Sequence, residues 1–420
     1  MYRESALRLL LEGRKILIAG FGREGKSTYR MLESLGLAEG AKIVEGNEAI
    51  REEARRGYDL IVKSPGIPGF VLEDCCDMNT VTSQTDLFLQ VFGDKVIGIT
   101  GTKGKSTTTH LVYKMMQEAT GNAVMAGNMG IPLFDVVEHL KEDMWIVCEY
   151  SCHQLENIHR GPKVGAVLNL FQEHLDHYHS YPDYKMAKMQ IGLKQQKGDY
   201  FFYCSDNDEL KELTEAHHFE SRVEAYSLEE ARQNVGGWER RIQGDHNLSN
   251  IELVRKIGTT LGIAEEKIAA CVADFNGLEH RLEPVGTFRN IQFYNDSIST
   301  IPAACMAAVR SLSGVQTLIL GGLDRGIDYT PLVEFLPESG VENIAFVGAA
   351  GKRVMHLLNR EFLRHELVSD DYEEIVKWCY EVTEKGRICL LSPAAASYDS
   401  FKNFEERGRC FKALVEKYQK

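Results

Sequence analysis

The chain has 420 residues, which at roughly 100 to 200 residues per domain is enough for two or three domains. Hydrophobic residues make up 44% and charged residues 26% of it, so the composition excludes the disordered and fibrous classes. The net charge of −13 argues against non-specific binding to nucleic acid, which needs a surplus of Lys and Arg on one face.

The first fourteen residues form a predicted amphipathic stretch. It contains Glu4 and Glu12 and lacks the basic start and apolar run of a secretory signal. No other segment is apolar over a length that spans a bilayer. The ten cysteines show neither CxxC pairs nor the regular spacing of a disulfide framework, which indicates reduced thiols. We therefore expect a cytoplasmic protein that binds neither membrane nor nucleic acid.

The N-terminal part alternates predicted strands and helices. Lys15–Ala19 is an apolar strand, and a helical pattern follows and ends near Gly36. Further strands are predicted at 42–45 and at 60–63, before Ser64-Pro65-Gly66. This βαβ rhythm predicts a parallel sheet.

The turn after the first strand has the pattern Gly20-x-Gly22-x-x-Gly25, which is typical of dinucleotide binding. That function also requires an acidic residue at the end of the second strand, where only Glu45 is available. The same glycines also allow a helix to pack closely on a strand. Nucleotide contact and close packing therefore both remain open for this turn.

Two more α/β blocks follow. The second begins with a strand at 96–100 and continues with strands at 145–149 and 164–169. The third has predicted strands at 291–295, 317–321, 343–347 and 388–392. The periodicity breaks near residue 93 and across 275–286, so we predict three α/β domains at 1–93, 94–282 and 283–420.

The segment after the strand at 96–100 predicts a phosphate-binding loop. Gly101 and Gly104 let the backbone turn so that its N–H groups point at phosphate oxygens, beside a helix N-terminus. Lys105 is expected to reach the β- and γ-phosphates of ATP and Ser106 a magnesium ion. Ile99 stands where the usual pattern has a first glycine, so the loop is a variant. Its predicted nucleotide-binding residues are Gly101, Thr102, Lys103, Gly104, Lys105, Ser106 and Thr107.

Acidic and imidazole side chains follow the next strands of this block. Glu149 ends the strand at 145–149 and lies at the carboxyl edge of the predicted sheet, where ligands gather. His174, Asp176, His177 and His179 follow the strand at 164–169. Mg²⁺ beside a triphosphate prefers a few oxygen ligands and water. For Glu149 with His174 we predict metal binding, and for each of the other histidines a surface or packing role.

The order of these motifs resembles that of the Mur ligases. The segments that carry the resemblance are Thr100–Thr107, Gly127–Gly130, Glu149–Glu156, Asn169–Asp176, Gly244–Asn250, His280–Glu283, Asn295–Ser297, Leu320–Gly326 and Leu391–Gly408. The last four are similar to the glutamate-adding members of that family. The resemblance covers essentially the whole chain.

The resemblance implies a three-domain architecture, with a Rossmann-like N-terminal domain, a P-loop ATPase-like central domain and a Rossmann-like C-terminal domain. These would bind the UDP-linked substrate, ATP and the amino acid in turn. It implies an ATP-dependent ligase that adds glutamate, D-glutamate in the first place, to UDP-N-acetylmuramoyl-L-alanine through an acyl-phosphate in peptidoglycan precursor synthesis. ATP and Mg²⁺ are the implied cofactors. We expect a monomer with a hinge near 279–283.

The resemblance also implies residue roles. The implied catalytic residues are Lys105, His174 and Lys188, and the implied metal ligands are Ser106, Glu149, His174 and Lys188 as its carbamate. Nucleotide contacts outside the loop fall to Asn247, Asn250, Arg281 and Asp296. The implied substrate contacts are Gly22, Arg23, Gly25, Ser64, Gly66, Asn128, Ser151 and Gln154 for the UDP-linked substrate, and Thr300, Arg325, Ser397 and Phe404 for glutamate.

The chain departs from the family pattern beside the predicted amino-acid pocket. Ile298 and Ile301 replace a lysine and an asparagine, and Cys152 and His153 replace a serine and a phenylalanine. Loss of a cation beside a dicarboxylate substrate changes what a pocket holds. An L-glutamate-adding variant and a ligase like folylpolyglutamate synthase are therefore the alternative functions. A Rossmann dehydrogenase and a non-catalytic nucleotide sensor are more distant ones.

Overall fold

The computed structural model describes residues 2–128, 131–173, 177–242 and 244–420. The protein has an α/β fold with three sheets, as the sequence predicts. Its chain divides into two compact units, Met1–Phe275 and Asn276–Lys420. The first unit contains two of the sheets and the second unit contains the third. The predicted domain boundaries near residues 93 and 282 stay predictions.

The first sheet has four parallel strands in the order β2-β1-β3-β4. β1 and β3 are buried along their whole length because helices cover them. The strands are β1 Ile16–Ala19, β2 Ala41–Val44, β3 Leu60–Lys63 and β4 Val81–Thr82. The helices are α1 Tyr2–Leu11, α2 Arg23–Ser34, α3 Asn47–Ala54 and α4 Gln84–Phe92.

The second sheet has six parallel strands in the order β10-β9-β8-β5-β7-β6. Its strands are β5 Val96–Thr100, β6 Ala123–Gly127, β7 Trp145–Glu149, β8 Val164–Val167, β9 Tyr200–Cys204 and β10 Arg222–Tyr226. The helices are α5 Lys105–Thr120, α6 Cys152–Leu155, α7 Tyr181–Leu193, α8 Asp208–Ala216, α9 Leu228–Asn234, α10 Asp245–Thr260 and α11 Glu265–Ala273.

The third sheet has the order β11-β12-β16-β13-β14-β15, and only β11 runs antiparallel to its neighbour. Its strands are β11 Glu283–Phe288, β12 Ile291–Asn295, β13 Val315–Gly321, β14 Asn343–Val347, β15 His365–Val368 and β16 Ile388–Leu391. The helices are α12 Pro302–Ser311, α13 Thr330–Phe335, α14 Gly348–Leu357, α15 Tyr372–Val382 and α16 Phe404–Lys417.

One hydrophobic core continues from the first sheet into the second. Buried side chains from α1, α4 and the central strands belong to it, among them Leu7, Phe88 and Ile146. This shared core explains why residues 1–275 form one unit, since an apolar interface removes area from water at about 25 cal/mol per Å².

The cysteines agree with the predicted reduced state. All ten are free thiols; eight are buried, and only Cys76 and Cys410 are partly exposed. No helix in the described part of the chain is both long and apolar enough to cross a membrane.

The turn between β1 and α2 depends on a close backbone approach. A Cβ on Gly25 would lie 2.2 Å from the carbonyl oxygen of Gly20 and 3.3 Å from Ser64 Oγ. Ser64 Oγ donates to that same carbonyl at 2.8 Å. Gly25 therefore serves the packing of α2 on β1, which is one of the two roles left open by the sequence.

Gly25→Ala should destabilise the first unit. The added methyl group has no space without moving α2, and such overpacking costs about 1–3 kcal/mol. Gly22→Ala is the matched control, because its Cβ would meet nothing within 4 Å and its φ is −68°. Urea unfolding monitored by circular dichroism measures both. A Gly25→Ala variant that unfolds at the same urea concentration as the wild type would contradict this packing role.

Candidate active site

The predicted phosphate loop connects the buried strand β5 to helix α5. It leaves β5 at Thr100 and enters the helix through Gly104, which has a left-handed φ of 84°. Gly101 also has a positive φ, and a Cβ on it would lie 2.9 Å from Leu168 Cβ. β5 is flanked by β7 and β8, and the strand order reverses around it, which is where open parallel sheets bind ligands.

Asn169 fixes the shape of this loop. Its Oδ1 accepts hydrogen bonds from the backbone N–H groups of Thr102 at 3.1 Å and Lys103 at 2.8 Å. Its Nδ2 donates to the Lys103 carbonyl at 3.1 Å. Thr102 Oγ1 in turn accepts from the backbone N–H of Phe171 at 2.9 Å. The segment after β8 thus holds the loop open before a ligand binds.

Two lysines reach the loop from opposite elements. Lys105 Nζ donates to the carbonyls of Gly101 and Thr102, each at 3.0 Å. Lys188 Nζ on α7 donates to the same Gly101 carbonyl at 2.9 Å. Burial lowers the pKa of Lys105, against the charge of Glu149. Burial lowers the pKa of Lys188 to about 8, so a substantial fraction of this amine is neutral near physiological pH.

Glu149 places an unsatisfied carboxylate oxygen beside the loop. The residue is 2% exposed and pairs across the sheet with Ile99, the residue before Thr100. Its Oε1 accepts from Asn128 Nδ2 at 3.0 Å, while its Oε2 is buried with no hydrogen-bond partner in the described residues. A buried anionic oxygen that lacks a donor suits a bound cation.

A cavity of 340 Å³ opens at the loop. Its lining includes Lys103, Gly104, Asn250 and two aromatic side chains, Phe171 and Tyr226. Asn250 is buried, and its amide lies against Gly104, where a Cβ would be 3.3 Å from Asn250 Nδ2. Asn247, the other predicted nucleotide contact of α10, is partly exposed and is not among the lining residues.

A second cavity, of 390 Å³, lies at the carboxyl ends of β1 and β3. It brings together five predicted substrate residues, which are Gly22, Arg23, Ser64, Gly66 and Asn128. Asn128 thus lines this cavity and also binds Glu149, so the cavity reaches the carboxylate beside the phosphate loop. The other three predicted residues, Gly25, Ser151 and Gln154, do not line it.

Gln154 instead contacts Glu24, a lining residue of the second cavity that the sequence did not indicate. Ser151 and Gln154 form a capping box at the start of α6. Gln154 Nε2 donates to Glu24 Oε1 at 2.6 Å, and Glu24 lines the second cavity. Burial raises the pKa of Glu24, and this outweighs the hydrogen bond from Gln154 and the charges of Lys63 and Arg23. Glu24 Oε2 is buried and unpartnered within the described residues.

A buried ionic chain joins the first sheet to the segment that follows residue 176. Lys63 Nζ donates to the Ile67 carbonyl at 2.8 Å and to Glu156 Oε2 at 2.7 Å. Glu156 Oε1 contacts His177 Nε2 at 2.9 Å. Burial raises the pKa of Glu156, but the His177 hydrogen bond and the Lys63 charge together hold it below its ordinary value. His177, predicted as a surface or packing residue, is therefore part of a buried charge network.

The second unit brings three loops together at the carboxyl ends of β12, β13 and β16. Ser297 Oγ donates to the Phe404 carbonyl at 2.8 Å, which joins the loop after β12 to the start of α16. Leu323 and Ala396 form an isolated bridge between the loops after β13 and β16. These loops carry the predicted glutamate-binding residues Thr300, Arg325, Ser397 and Phe404.

The four residues predicted to bind the amino-acid substrate differ in exposure. Ser397 is 2% exposed, Thr300 and Phe404 are partly buried, and Arg325 is exposed. Asp296, a predicted nucleotide contact, is also 2% exposed. Burial raises its pKa, against hydrogen bonds from Ser299 and Ser392 and the charge of Arg281.

The predicted metal ligand His174 and its neighbour Asp176 lie outside the described residues, so the predicted metal site stays a prediction. Elsewhere in the described chain, no three His, Cys, Asp or Glu side chains form a metal-binding group.

Besides Glu24, the residues that the sequence reasoning missed are Lys63, Glu156, Asn169 and Arg407. Glu156, Asn169 and Arg407 lie inside the motifs that carry the resemblance, so the sequence marked their positions, but their hydrogen-bond partners are identifiable only in the fold.

Known proteins are similar to this chain over nearly its whole length. The sequence profile of the Mur ligase middle domain matches residues 99–266. A UDP-N-acetylmuramoylalanine--D-glutamate ligase of Desulfitobacterium hafniense is 32% identical over 97% of this chain and 98% of its own length. The enzyme of the same description from Bacillus cytotoxicus is 31% identical over 97% and 98%.

Among solved structures, the MurF ligase from Thermotoga maritima, in complex with ADP, superimposes with a TM-score of 0.56. It covers 88% of this chain and 92% of its own, at 16% sequence identity. At that identity the likeness shows the shared fold.

Asn169→Ala should weaken nucleotide binding without unfolding the protein. It removes three hydrogen bonds that hold the loop, each worth about 1 kcal/mol, so we expect a dissociation constant up to roughly 100-fold higher for a non-hydrolysable ATP analogue with Mg²⁺. Asn169→Asp keeps both acceptor contacts and should lose less. Calorimetric titration measures the affinities. Equal affinity in all three proteins would mean that the loop keeps its shape without Asn169.

Glu24 should make stability depend on pH. Its native pKa is raised above the ordinary 4.5, so the native state keeps a proton that the unfolded chain loses. The free energy of unfolding contributed by this group therefore falls as pH rises above about 4.5. Glu24→Gln should be more stable than wild type at pH 7.5, with the difference vanishing at pH 4. Glu45→Gln, an exposed carboxylate of the same cavity, serves as the control in denaturant unfolding at both pH values.

Proposed function

The chain belongs to the Mur ligase family, and on that basis we propose that it joins D-glutamate to UDP-N-acetylmuramoyl-L-alanine at the expense of ATP. Members of this family are ATP-dependent ligases that form amide bonds. The proposed reaction is a step of peptidoglycan precursor synthesis, and it implies a cytoplasmic enzyme, acting as a monomer.

One observation carries this proposal. Asn128 lines the cavity at the first sheet and also donates to Glu149 beside the phosphate loop. A nucleotide-linked substrate bound at Gly22, Arg23, Ser64 and Gly66 would therefore extend from the first sheet toward the ATP phosphates. Gly22 begins the turn into α2, whose N-terminal N–H groups suit a pyrophosphate. Such an arrangement suits a reaction between a long, anionic acceptor and ATP.

The chemistry requires two transfers. A carboxylate oxygen of the acceptor attacks the γ-phosphorus of ATP, and the bond to ADP breaks, which gives an acyl-phosphate. The glutamate amine then attacks the acyl carbon, inorganic phosphate leaves and the amine loses a proton. Lys105 is proposed to neutralise charge on the transferred phosphoryl group, and the N–H groups of Gly104 to Ser106 to orient it, since those of Thr102 and Lys103 donate to Asn169.

The donor set fits a divalent cation. Glu149 Oε2 is a buried carboxylate oxygen without a donor among the described residues, and Ser106, the second residue of α5, is 4% exposed. We propose Glu149 and Ser106 as Mg²⁺ ligands, with His174 completing the set. When bound, Mg²⁺ supplies charge neutralisation to the triphosphate.

Lys188 is proposed to act as a carbamate, as the resemblance implies. Formation of a carbamate requires a neutral amine, and burial lowers the Lys188 pKa to about 8. The modified side chain would be an anion able to hold a cation, whereas the free amine donates to the Gly101 carbonyl.

The remaining contacts are assigned in the same way. Asn247 and Asn250 are proposed to contact the adenine side of ATP, and Arg281 and Asp296 are proposed as further ATP contacts. Thr300, Arg325, Ser397 and Phe404 are proposed to bind glutamate. Arg325 suits a bidentate contact with a carboxylate, and it is exposed and available for one.

Two alternatives follow from the residues. Ile298 and Ile301 replace the family's lysine and asparagine, so addition of L-glutamate is the first alternative. A reaction like that of folylpolyglutamate synthase is the second. The Ser64–Gly66 cavity at the first sheet favours a UDP-linked acceptor over a folate.

Phosphate release tests the function directly. We expect release from ATP with Mg²⁺ and UDP-N-acetylmuramoyl-L-alanine when D-glutamate is present, and little with L-glutamate or without amino acid. Lys105→Ala should lower kcat by about 100-fold or more, because it removes a preorganised charge. Lys114→Ala, a partly exposed lysine of α5 paired with Glu118, is the control. Release with L-glutamate alone would select the first alternative, and a folate acceptor the second.

A further inference from the structure

Arg407 is a charged side chain buried in the second unit. It is 1% exposed, and all its described contacts are to neutral oxygens. Its Nε donates to Ser297 Oγ at 2.9 Å and its Nη2 to the Ser297 carbonyl at 2.8 Å. Nη1 and Nη2 both donate to the Ala395 carbonyl at 3.1 Å.

This guanidinium has no ion-pair partner within 4 Å among residues 276–420. Burial lowers the pKa of Arg407, while Tyr372 and Asp399 are the titratable groups that favour its charged form. An arginine side chain nevertheless stays protonated in proteins, so the buried site holds a full positive charge. Burying a charge without a counterion is costly, which indicates a purpose other than stability.

The guanidinium also lies where three loops meet. It binds Ser297 after β12 and Ala395 after β16, and a Cβ on Gly322, after β13, would lie 3.2 Å from its Nη1. The Leu323–Ala396 bridge joins two of these loops directly. The same loops carry Thr300, Arg325 and Ser397, the residues assigned above to glutamate.

The loop after β16 is held in a strained conformation. Ala394 has a φ of 53°, a left-handed value that costs a non-glycine residue about 1 kcal/mol or more. Its carbonyl accepts from Tyr329 OH at 3.3 Å, and the next carbonyl is the one bound by Arg407. Strain of this kind persists where the surroundings fix it, and it is common at ligand sites.

We propose that Arg407 is the positioning residue by which these three loops select a dicarboxylic amino acid: it fixes the loops and supplies the buried positive charge that the substrate's side-chain carboxylate neutralises. This inference rests on the proposed glutamate-adding function.

The charge and the hydrogen bonds of Arg407 have separable effects. A cation in a low-dielectric site acts on a substrate carboxylate over several ångströms, whereas it acts weakly on a neutral amide. Glutamine is nearly isosteric with glutamate and lacks the side-chain charge. A purely structural arginine would affect the use of both amino acids equally.

The test compares kcat/KM for glutamate with kcat/KM for glutamine, in the enantiomer that the wild type uses, by phosphate release at saturating ATP and UDP-linked substrate. Arg407→Met should lower the ratio of the two values about tenfold or more. Arg407→Lys keeps the charge but loses the planar guanidinium that donates to two loops at once. It should therefore lower both values and leave the ratio within about threefold of wild type. Arg409→Met, an exposed arginine on the same helix, is the control.

Equal losses for glutamate and glutamine in Arg407→Met would overturn the proposal. If that variant does not fold, as judged by circular dichroism, Arg407→Gln, which keeps amide hydrogen-bond donors without the charge, decides: a ratio lowered about tenfold supports the proposal and an unchanged ratio overturns it. Failure of the proposed function is distinguishable, because the wild type would then release no phosphate in response to glutamate.

Discussion

Parallel strands direct all their carboxyl ends to one edge of a sheet, and each binding element described above depends on that constraint. In the first sheet the edge carries Gly20 and Ser64, and in the second it carries the phosphate loop and Glu149. Asn128 follows β6 at this second edge and contacts Glu149, so one amide links the cavity at the first sheet to the carboxylate beside the phosphate loop. The third sheet brings three loops together in the same way, although its edge strand β11 is antiparallel.

Much of this arrangement could be predicted from the sequence, because it depends on local patterns of apolar residues and turn residues. The strands at 60–63, 96–100, 145–149, 291–295 and 343–347 have the predicted bounds, since each is a short apolar run between turn residues. The two-residue strand β4 carries no such pattern. Glu24, Glu156 and Arg407 were not predicted because their partners are distant in sequence. The hydrogen bond between Gln154 and Glu24, for example, leaves no periodic pattern in the sequence. The resemblance supplied Ser397 and Phe404, which the residues alone suggested as a turn and a core aromatic.

Buried charges are concentrated around the proposed sites. Lys63 is 2% exposed and depends on Glu156, Lys188 is 2% exposed with a lowered pKa, and Arg407 is 1% exposed without a counterion within 4 Å in the described chain. Each lowers stability relative to an apolar residue of the same size. The continuous core of the first unit offsets this cost for Lys63 and Lys188. Each charged group donates to a backbone carbonyl, that of Ile67, Gly101 or Ala395, so it fixes the adjoining segment before substrates bind and less entropy is lost on binding.

The positions of the partly exposed cysteines allow each unit to be labelled separately. Eight cysteines are buried, and the two partly exposed ones fall one in each unit, at Cys76 and Cys410. Burial raises the pKa of Cys76 to about 11 and that of Cys410 above its ordinary value, so both react slowly at neutral pH and faster under alkaline conditions. The unaltered chain therefore offers one attachment point per unit for a donor and an acceptor dye. Energy transfer between the two dyes would report any change in the distance between residues 76 and 410 without an engineered cysteine.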